Sequence, residues 1–170
     1  EEAQRLSARL SALFYLSEIE SGQVVLQQDV IELDALLSTV IERIQRDIEL
    51  RDVTLEADLP SLEVVSDGQK IERVFENLLD NARKFTPDGG RITVNSGLDA
   101  SESRAWVEVS NNVENLEAEE LPLLFDRFYR RDRSRSAGGR GSNLSGSGLG
   151  LPIARDLVSL MGGTLSASLD

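Results

Sequence analysis

The residues best suited to chemistry are two amides and one amine within residues 67–85 of the sequence. Asn77, Asn81 and Lys84 are separated by four and three positions, so on a helix they form a single stripe. Amide oxygens are ligands for a hard divalent cation, and an ammonium group pairs with phosphate. The stripe therefore suits a metal–phosphate group, although the same residues alone would also suit the solvated flank of a core-facing helix.

The segment that carries this stripe has the pattern of an amphipathic helix. Asp67 is a plausible N-cap, and the Thr86–Gly90 segment, rich in turn residues, ends the helix near Phe85. The charged residues Glu72, Glu76 and Arg83 are expected to face solvent. Apolar side chains recur at helical spacing and predict a buried face made of Ile71, Val74, Phe75, Leu78, Leu79 and Ala82.

A second candidate site is the glycine-rich segment Gly146–Leu151, which directly precedes another helical pattern. Free backbone N–H groups and the positive end of the helix dipole make such a junction suitable for an anion. The segment follows no predicted strand and lacks the Gly-Lys-Ser/Thr of a P-loop, so neither a Rossmann site nor a P-loop is expected. A flexible linker is the alternative, but a linker would not need leucines between its glycines.

Charge and composition exclude several classes of function. The sequence has 170 residues, with 18 basic and 30 acidic side chains and a net charge of −12, a poor balance for general nucleic-acid binding. Cysteine and histidine are absent, which excludes disulfides, thiolate and imidazole metal ligands, and a phosphohistidine on this sequence. No apolar run approaches the roughly eighteen residues of a membrane-spanning helix.

Residues 127–140 depart from this acidic average, with six arginines and one acidic residue. Arginines pair with phosphate oxygens, and the glycines that follow allow backbone amides to approach them. The stretch therefore suits a polyphosphate site, and a disordered basic loop is the alternative.

The predicted elements indicate an α/β fold with a mixed sheet covered by helices. Helices are expected at residues 1–20, 32–50, 67–85 and 148–161, with a short one at 117–124. A mobile loop is expected at 125–147. Strands are expected at residues 24–30, 53–57, 62–65, 91–96, 104–110 and 164–169.

Four motifs, in order, resemble those of bacterial two-component sensor histidine kinases. The segment Glu76–Thr86 resembles their asparagine box, and Leu124–Arg130 their phenylalanine box. Gly146–Leu151 is similar to their second glycine box, and Met161–Thr164 to the turn that closes it. The resemblance covers essentially the whole sequence.

This resemblance implies a Bergerat-type two-layer sandwich of a mixed sheet and helices, the GHKL fold, preceded by one long helix. Residues 1–22 would be the second helix of the dimerisation and phosphotransfer domain. Residues 23–170 would be the catalytic ATP-binding domain, ending before its last strand. The sequence would then be part of a longer protein.

The resemblance also implies a site for ATP and Mg²⁺ between the asparagine-box helix and a mobile lid that includes residues 127–140. Asn77 and Asn81 would serve magnesium and phosphates, Lys84 would neutralise phosphate, and Phe85 would stand beside the adenine. Arg130 would approach the γ-phosphate and act with Asn77 in catalysis. The phosphate cradle of the second glycine box would consist of Gly146, Gly148, Leu149 and Gly150.

The first glycine box of the family, Asp-x-Gly-x-Gly, is altered in this sequence. Asn111 stands where the adenine-reading Asp belongs, and Val113 and Asn115 replace both glycines. A neutral amide still offers an acceptor oxygen, but its NH₂ group can clash with a donor. Two functions stay open: a working kinase domain, or a degenerate kinase-like module that binds nucleotide weakly or not at all and signals through protein contacts. A third, an anti-sigma serine kinase, is disfavoured by the N-terminal dimerisation-type helix.

The expected partners follow from the same resemblance. The γ-phosphoryl group would pass to a histidine outside this sequence, and a response regulator would act downstream in a phosphorelay. The full-length protein would be a homodimer through its own dimerisation domain. The sequence is expected to be a cytoplasmic domain, attached to a membrane only through segments that it does not contain, and no nucleic-acid partner is expected.

Overall fold

The computed structural model describes residues 2–101, 103–130 and 147–169, and these form two compact units. Residues 26–114 make one, here called the sheet unit, and the residues up to 25 together with those from 115 make the other, here called the helical unit. The sheet unit contains β1 (Asp29–Glu32), α2 (Leu33–Glu49), β2 (Thr54–Asp58), β3 (Glu63–Ser66), α3 (Gly68–Phe85), β4 (Arg91–Asp99) and β5 (Arg104–Asn111). The helical unit contains α1 (Glu2–Glu20), two 3₁₀ turns (Ala118–Glu120 and Pro122–Phe125) and α4 (Gly150–Leu160).

The main sheet of the sheet unit is mixed, as predicted. Its strand order is β2-β4-β5, with β2 parallel and β5 antiparallel to β4. Within this register Leu55 pairs with Ile92, and Val94 pairs with Val109. Because alternate side chains of a strand point to opposite faces, these pairs share one face of the sheet.

Helices α2 and α3 pack against each other and cover that face, which makes the two-layer sandwich. Ile48 of α2, Ala82 of α3 and Ile92 of β4 meet in one buried cluster together with Val53. The predicted apolar face of α3 is confirmed, except that Leu78 is only half-buried.

The two acidic residues predicted to project into solvent from α3 instead contact α2. Arg43 of α2 lies between Glu72 and Glu76, with Nη1 2.5 Å and 2.8 Å from their carboxylate oxygens. Arg83 likewise pairs with Asp47 of α2 at 3.4 Å. Helical spacing placed these residues away from the core, but only the packing of two helices supplied their partners.

The strand predicted at residues 24–30 is displaced. The observed strand β1 begins at Asp29 and pairs antiparallel with β3, from Asp29 opposite Ser66 to Glu32 opposite Glu63. The most apolar part of the predicted strand, residues 24–26, lies outside this ladder, and Val25 is 81% exposed. A strand is defined by its hydrogen-bonded partner, and the segment that pairs with β3 begins five residues later and ends two residues later than predicted.

Two predictions are wrong in the helical unit. The helix predicted at 117–124 is replaced by two short 3₁₀ turns, the second of which begins at Pro122, a residue that cannot donate a backbone hydrogen bond. Residues 164–169 are not a strand, because no described segment pairs with them.

The helix predicted at 148–161 is confirmed as α4, with Pro152 in its first turn. Within the described ranges, no helix is long and apolar enough to cross a membrane.

Candidate functional site

The predicted amide and amine stripe is present on α3. Asn77, Asn81 and Lys84 are all half-buried and lie along the same helix, and Phe85 at its end is 49% exposed. The side-chain nitrogen of Asn77 donates to the carbonyl of Arg73, one turn earlier, at 2.9 Å. This bond occupies the nitrogen and leaves the amide oxygen, the atom that a cation would bind, outside the interaction.

Lys84 has a partner that the sequence reasoning missed. Its ammonium group forms a short ion pair with Asp80, one turn earlier, and Asp80 also accepts from Arg83 Nη2 at 2.7 Å. Burial alone would raise the pKa of Asp80, but the hydrogen bonds from Lys84 and Arg83 outweigh it, and the pKa lies below its usual value. The i, i+4 spacing of an Asp and a Lys was the signal that could have revealed this pair.

The N-terminus of α3 is held by Asp67, as predicted. Its Oδ1 accepts from the backbone N–H of Lys70 at 3.1 Å, and its Oδ2 accepts from the N–H of Gln27 at 3.0 Å. Burial would raise the pKa of Asp67, but these amides stabilise the carboxylate, and the pKa lies below its usual value. Asp67 therefore ties α3 to the segment before β1, which the sequence alone did not indicate.

The altered first glycine box begins at the end of β5. Asn111 is the last residue of that strand, opposite Ile92, and its side-chain nitrogen donates to the carbonyl of Asn112 at 3.0 Å. Asn112 extends the ladder with its side chain, because its Oδ1 accepts from the N–H of Arg91 at 2.8 Å. Asn115, at the second glycine position, has a φ of +54°. Asparagine tolerates this left-handed conformation better than most residues, so it substitutes there for glycine.

The second glycine box and the phenylalanine box meet in the helical unit. Gly148 has a φ of +70°, and its carbonyl accepts from the N–H of Phe128 at 3.0 Å. Leu149 is fully buried, which makes it a core residue, and Gly150 opens α4. Gly146 lies outside the described residues.

The arginines of the basic stretch differ in their surroundings. Arg127 pairs with Glu20 at the end of α1 at 2.5 Å and with Asp156 of α4 at 3.6 Å. Arg130 is exposed. The remaining arginines of the stretch lie outside the described residues. One of the arginines assigned to phosphate binding is therefore engaged by two carboxylates.

The chain belongs to the family described as histidine kinase-, DNA gyrase B-, and HSP90-like ATPase, whose match covers residues 66–170. Among curated proteins, it is 30% identical over 168 residues to the sensor histidine kinase WalK of Bacillus subtilis, a match that covers 98% of this chain and 26% of WalK. It is 31% identical over 170 residues to the sensor histidine kinase CusS of Escherichia coli K12, which covers all of this chain and 34% of CusS.

A solved structure agrees with these relatives. The mycobacterial sensor histidine kinase MprB superimposes with a TM-score of 0.67 at 26% identity, over 82% of this chain and 84% of that one. ThkA, solved in complex with the response regulator protein TrrA, shares the fold at a TM-score of 0.69 and 22% identity, over 95% of this chain and 42% of that chain. The chain spans about a quarter to a third of the length of the curated relatives. The predicted class, the ATP-binding catalytic domain of sensor histidine kinases, is confirmed.

Proposed function

We propose that this chain binds Mg-ATP on α3 and donates the γ-phosphoryl group to a histidine outside the sequence. The observation that carries the proposal is the alignment of Asn77, Asn81 and Lys84 along one helix of a chain in the ATPase family. In the reaction, the bond between the γ-phosphorus and the bridging oxygen of ATP breaks, and a bond to an imidazole nitrogen forms. ADP leaves, and the acceptor histidine loses a proton.

The chemistry of the donor set fits a magnesium–triphosphate group. The Asn77 oxygen is not used in its bond to Arg73, and Asn81 makes no side-chain hydrogen bond to another residue in the described part of the chain. Amide oxygens are hard ligands, and Mg²⁺ is commonly held by few protein ligands together with substrate phosphates. Magnesium supplies charge neutralisation on the phosphates when it is bound.

The other predicted site residues have supporting roles in this proposal. Phe85, with its exposed ring, would pack beside the adenine, and Asn111 would read the adenine amino group. Arg130 would neutralise the γ-phosphate. The backbone of Gly146, Gly148, Leu149 and Gly150 would face the phosphates at the start of α4, where helix N–H groups lack internal partners. Catalysis would consist of positioning and charge neutralisation.

The proposal extends to the longer protein of which this chain would be part. Residues 1–22 would belong to the dimerisation and phosphotransfer domain, and residues 23–170 to the catalytic domain. One partner would be the dimerisation and phosphotransfer domain, through which the full-length protein would form a homodimer. The other would be a response regulator, the kind of protein that ThkA binds in its complex with TrrA. The full-length protein would be a membrane-anchored sensor, and this domain would lie in the cytoplasm.

Titration calorimetry with Mg-ATP tests the binding step. The chain is expected to bind Mg-ATP, and Asn81→Ala and Lys84→Ala are each expected to weaken binding at least about tenfold, since each removes a contact to a charged group worth about 1.5–3 kcal/mol. Two variants serve as matched controls. Asn95→Ala removes an amide from β4, on the face of the sheet that the buried Val94 does not share. Lys70→Ala removes the only other lysine in the sequence.

The transfer step is tested by adding a separate histidine-bearing phosphotransfer domain. Labelled ATP is expected to label that domain and to leave this chain unlabelled, because the chain has no histidine. Acid-labile phosphate on this chain would contradict the proposal. Absence of Mg-ATP binding would instead favour the alternative of a degenerate module that acts through protein contacts.

A further inference from the structure

The side chain of Arg51 lies at the C-terminal end of α3 and contacts three acceptors there. Its Nη1 donates to the carbonyl of Arg83 at 2.6 Å, and its Nη2 donates to the carbonyl of Thr86 at 2.6 Å. Its Nε donates to the carboxylate of Asp88 at 2.8 Å. The guanidinium group therefore joins the last turn of α3 to the loop that follows.

The backbone around Arg51 is itself anchored to the sheet unit. The N–H of Arg51 donates to the carbonyl of Ile48 at the end of α2, at 3.0 Å, and its own carbonyl accepts from Gly89 at 3.1 Å. Three residues later, Thr54 opens β2 by donating to Gly90 at 2.9 Å. The backbone of Arg51 is therefore held by the end of α2, and the loop after α3 is bonded to both the backbone and the side chain of Arg51.

This arrangement satisfies a general need of helix ends. The last carbonyls of a helix have no partner within the helix, and a positive charge near them is favourable because of the helix dipole. Arginine suits the position because its planar group presents several donors in fixed directions, whereas lysine has one charged nitrogen on a flexible stem. The two carbonyls that Arg51 binds belong to Arg83 and Thr86, so Lys84 and Phe85 lie between them in the sequence.

We infer that Arg51 is a positioning residue for nucleotide binding: it orders the last turn of α3 and thereby holds Lys84 and Phe85 in place. The inference rests on the proposed function, since it assigns both residues to the nucleotide. Without the Arg51 contacts, the last turn frays, and only the fraction of molecules with an ordered turn is competent to bind. The apparent dissociation constant is inversely proportional to that fraction.

Calorimetry with Mg-ATP, performed where urea unfolding curves show each variant fully folded, tests this role. Arg51→Ala is expected to bind about fivefold more weakly, as for a turn ordered in about a fifth of the molecules. Arg51→Lys, which keeps the charge and one set of donors, is expected to recover part of the loss. Hydrogen exchange of the variant is expected to be faster in residues 82–90 and unchanged in residues 70–78.

Arg43→Ala is the matched control. It removes another arginine that links α2 to α3, but through Glu72 and Glu76 in earlier turns of the helix. Its affinity for Mg-ATP is expected to equal that of the unaltered chain, even if its stability falls.

The outcomes separate the inference from the proposed function. If the unaltered chain binds Mg-ATP and folded Arg51→Ala binds it equally well, Arg51 is only a stabilising contact and the inference is overturned. An equal loss of affinity in Arg43→Ala would also overturn it, since the effect would then be general to the α2–α3 contact. If the unaltered chain binds no nucleotide, the proposed function fails and the inference fails with it.

Discussion

The backbone of Gly148 lies directly against the backbone of Phe128. A Cβ atom at position 148 would stand 2.9 Å from both the Cα and the carbonyl carbon of Phe128, and equally close to the carbonyl oxygen of Tyr129. Both residues are in the left-handed region, with φ of +70° for Gly148 and +63° for Phe128. The contact between the phenylalanine box and the second glycine box therefore depends on the absence of a side chain at position 148.

Gly148→Ala is expected to destabilise the chain by about 2–5 kcal/mol. A left-handed backbone costs an L-residue about 1–2 kcal/mol, and forcing an extra carbon against packed backbone costs about 1–3 kcal/mol more. Urea unfolding measures the loss. Gly162→Ala is the control, because Gly162 has a φ of +79° and open space around it, so only the backbone cost applies. Equal losses in the two variants would show that the close contact adds nothing.

The stability of the chain is expected to fall below about pH 4, in part through Asp67. Its pKa is lower in the folded chain than the value of about 3.9 for an unfolded aspartate. The carboxylate therefore stabilises the fold fully above that value, and the contribution is lost as the pH falls through the folded pKa. Urea unfolding at a series of pH values measures this dependence.

Asp67→Asn is expected to cost about 1 kcal/mol at pH 7 and to flatten the acid limb of the profile. An amide has one acceptor oxygen, so it cannot serve both Lys70 and Gln27. Asp58→Asn, on the exposed end of β2, controls for the removal of one negative charge. A profile parallel to that of the unaltered chain would contradict the role of Asp67.

Asp80→Asn is expected to strengthen Mg-ATP binding, because Lys84 then has no carboxylate competing with phosphate. A partly exposed ion pair contributes about 0.2–1 kcal/mol, so the gain should not exceed about fivefold. Calorimetry at low and moderate salt measures it. Weaker binding would show instead that Asp80 holds the Lys84 ammonium group where the phosphates need it.

Asn111→Asp is expected to strengthen ATP binding by roughly five- to tenfold. A hydrogen bond to a charged acceptor contributes about 1.5–3 kcal/mol, against about 0.5–1.5 for a neutral one, a difference on the order of 1 kcal/mol. GTP, whose ring carries a carbonyl where adenine has its amine, should gain little and serves as the control. Unchanged or weaker ATP binding would show that Asn111 does not read the adenine.

Ser96→Ala is expected to leave the stability unchanged or to raise it by up to about 1 kcal/mol. The Ser96 hydroxyl is buried on β4 and has no hydrogen-bond partner among the described residues, so its removal ends a desolvation cost. Thr86→Val is the matched control, since its buried hydroxyl donates to the carbonyl of Ala82 at 2.7 Å. That variant should lose about 0.5–1.5 kcal/mol in urea unfolding. A clear loss in Ser96→Ala would mean that its hydroxyl has a partner in solution.

The helices were the most predictable part of this fold. The predicted end of α3 at Phe85 and its cap at Asp67 agree with the structure, because both depend on residues within a few positions of each other. Local periodicity likewise identified α2 to within one residue at each end. Strand pairing was less accessible: β2 pairs with β4, and β3 pairs with β1, although β2 and β3 are neighbours in the sequence.

The amino-acid sequence by itself determined the family, the amphipathic helices and the order of residues along the α3 stripe, since all of these depend on residue type and short spacing. Only the tertiary structure decided which distant groups support the helix that carries that stripe. Arg51 reaches the end of α3 from 32 to 37 positions away, and Gln27 binds Asp67 across 40 positions. Such contacts arise because packing α2 and α3 on one sheet brings distant backbone and side-chain groups within hydrogen-bonding distance, and no local pattern in the sequence encodes that distance.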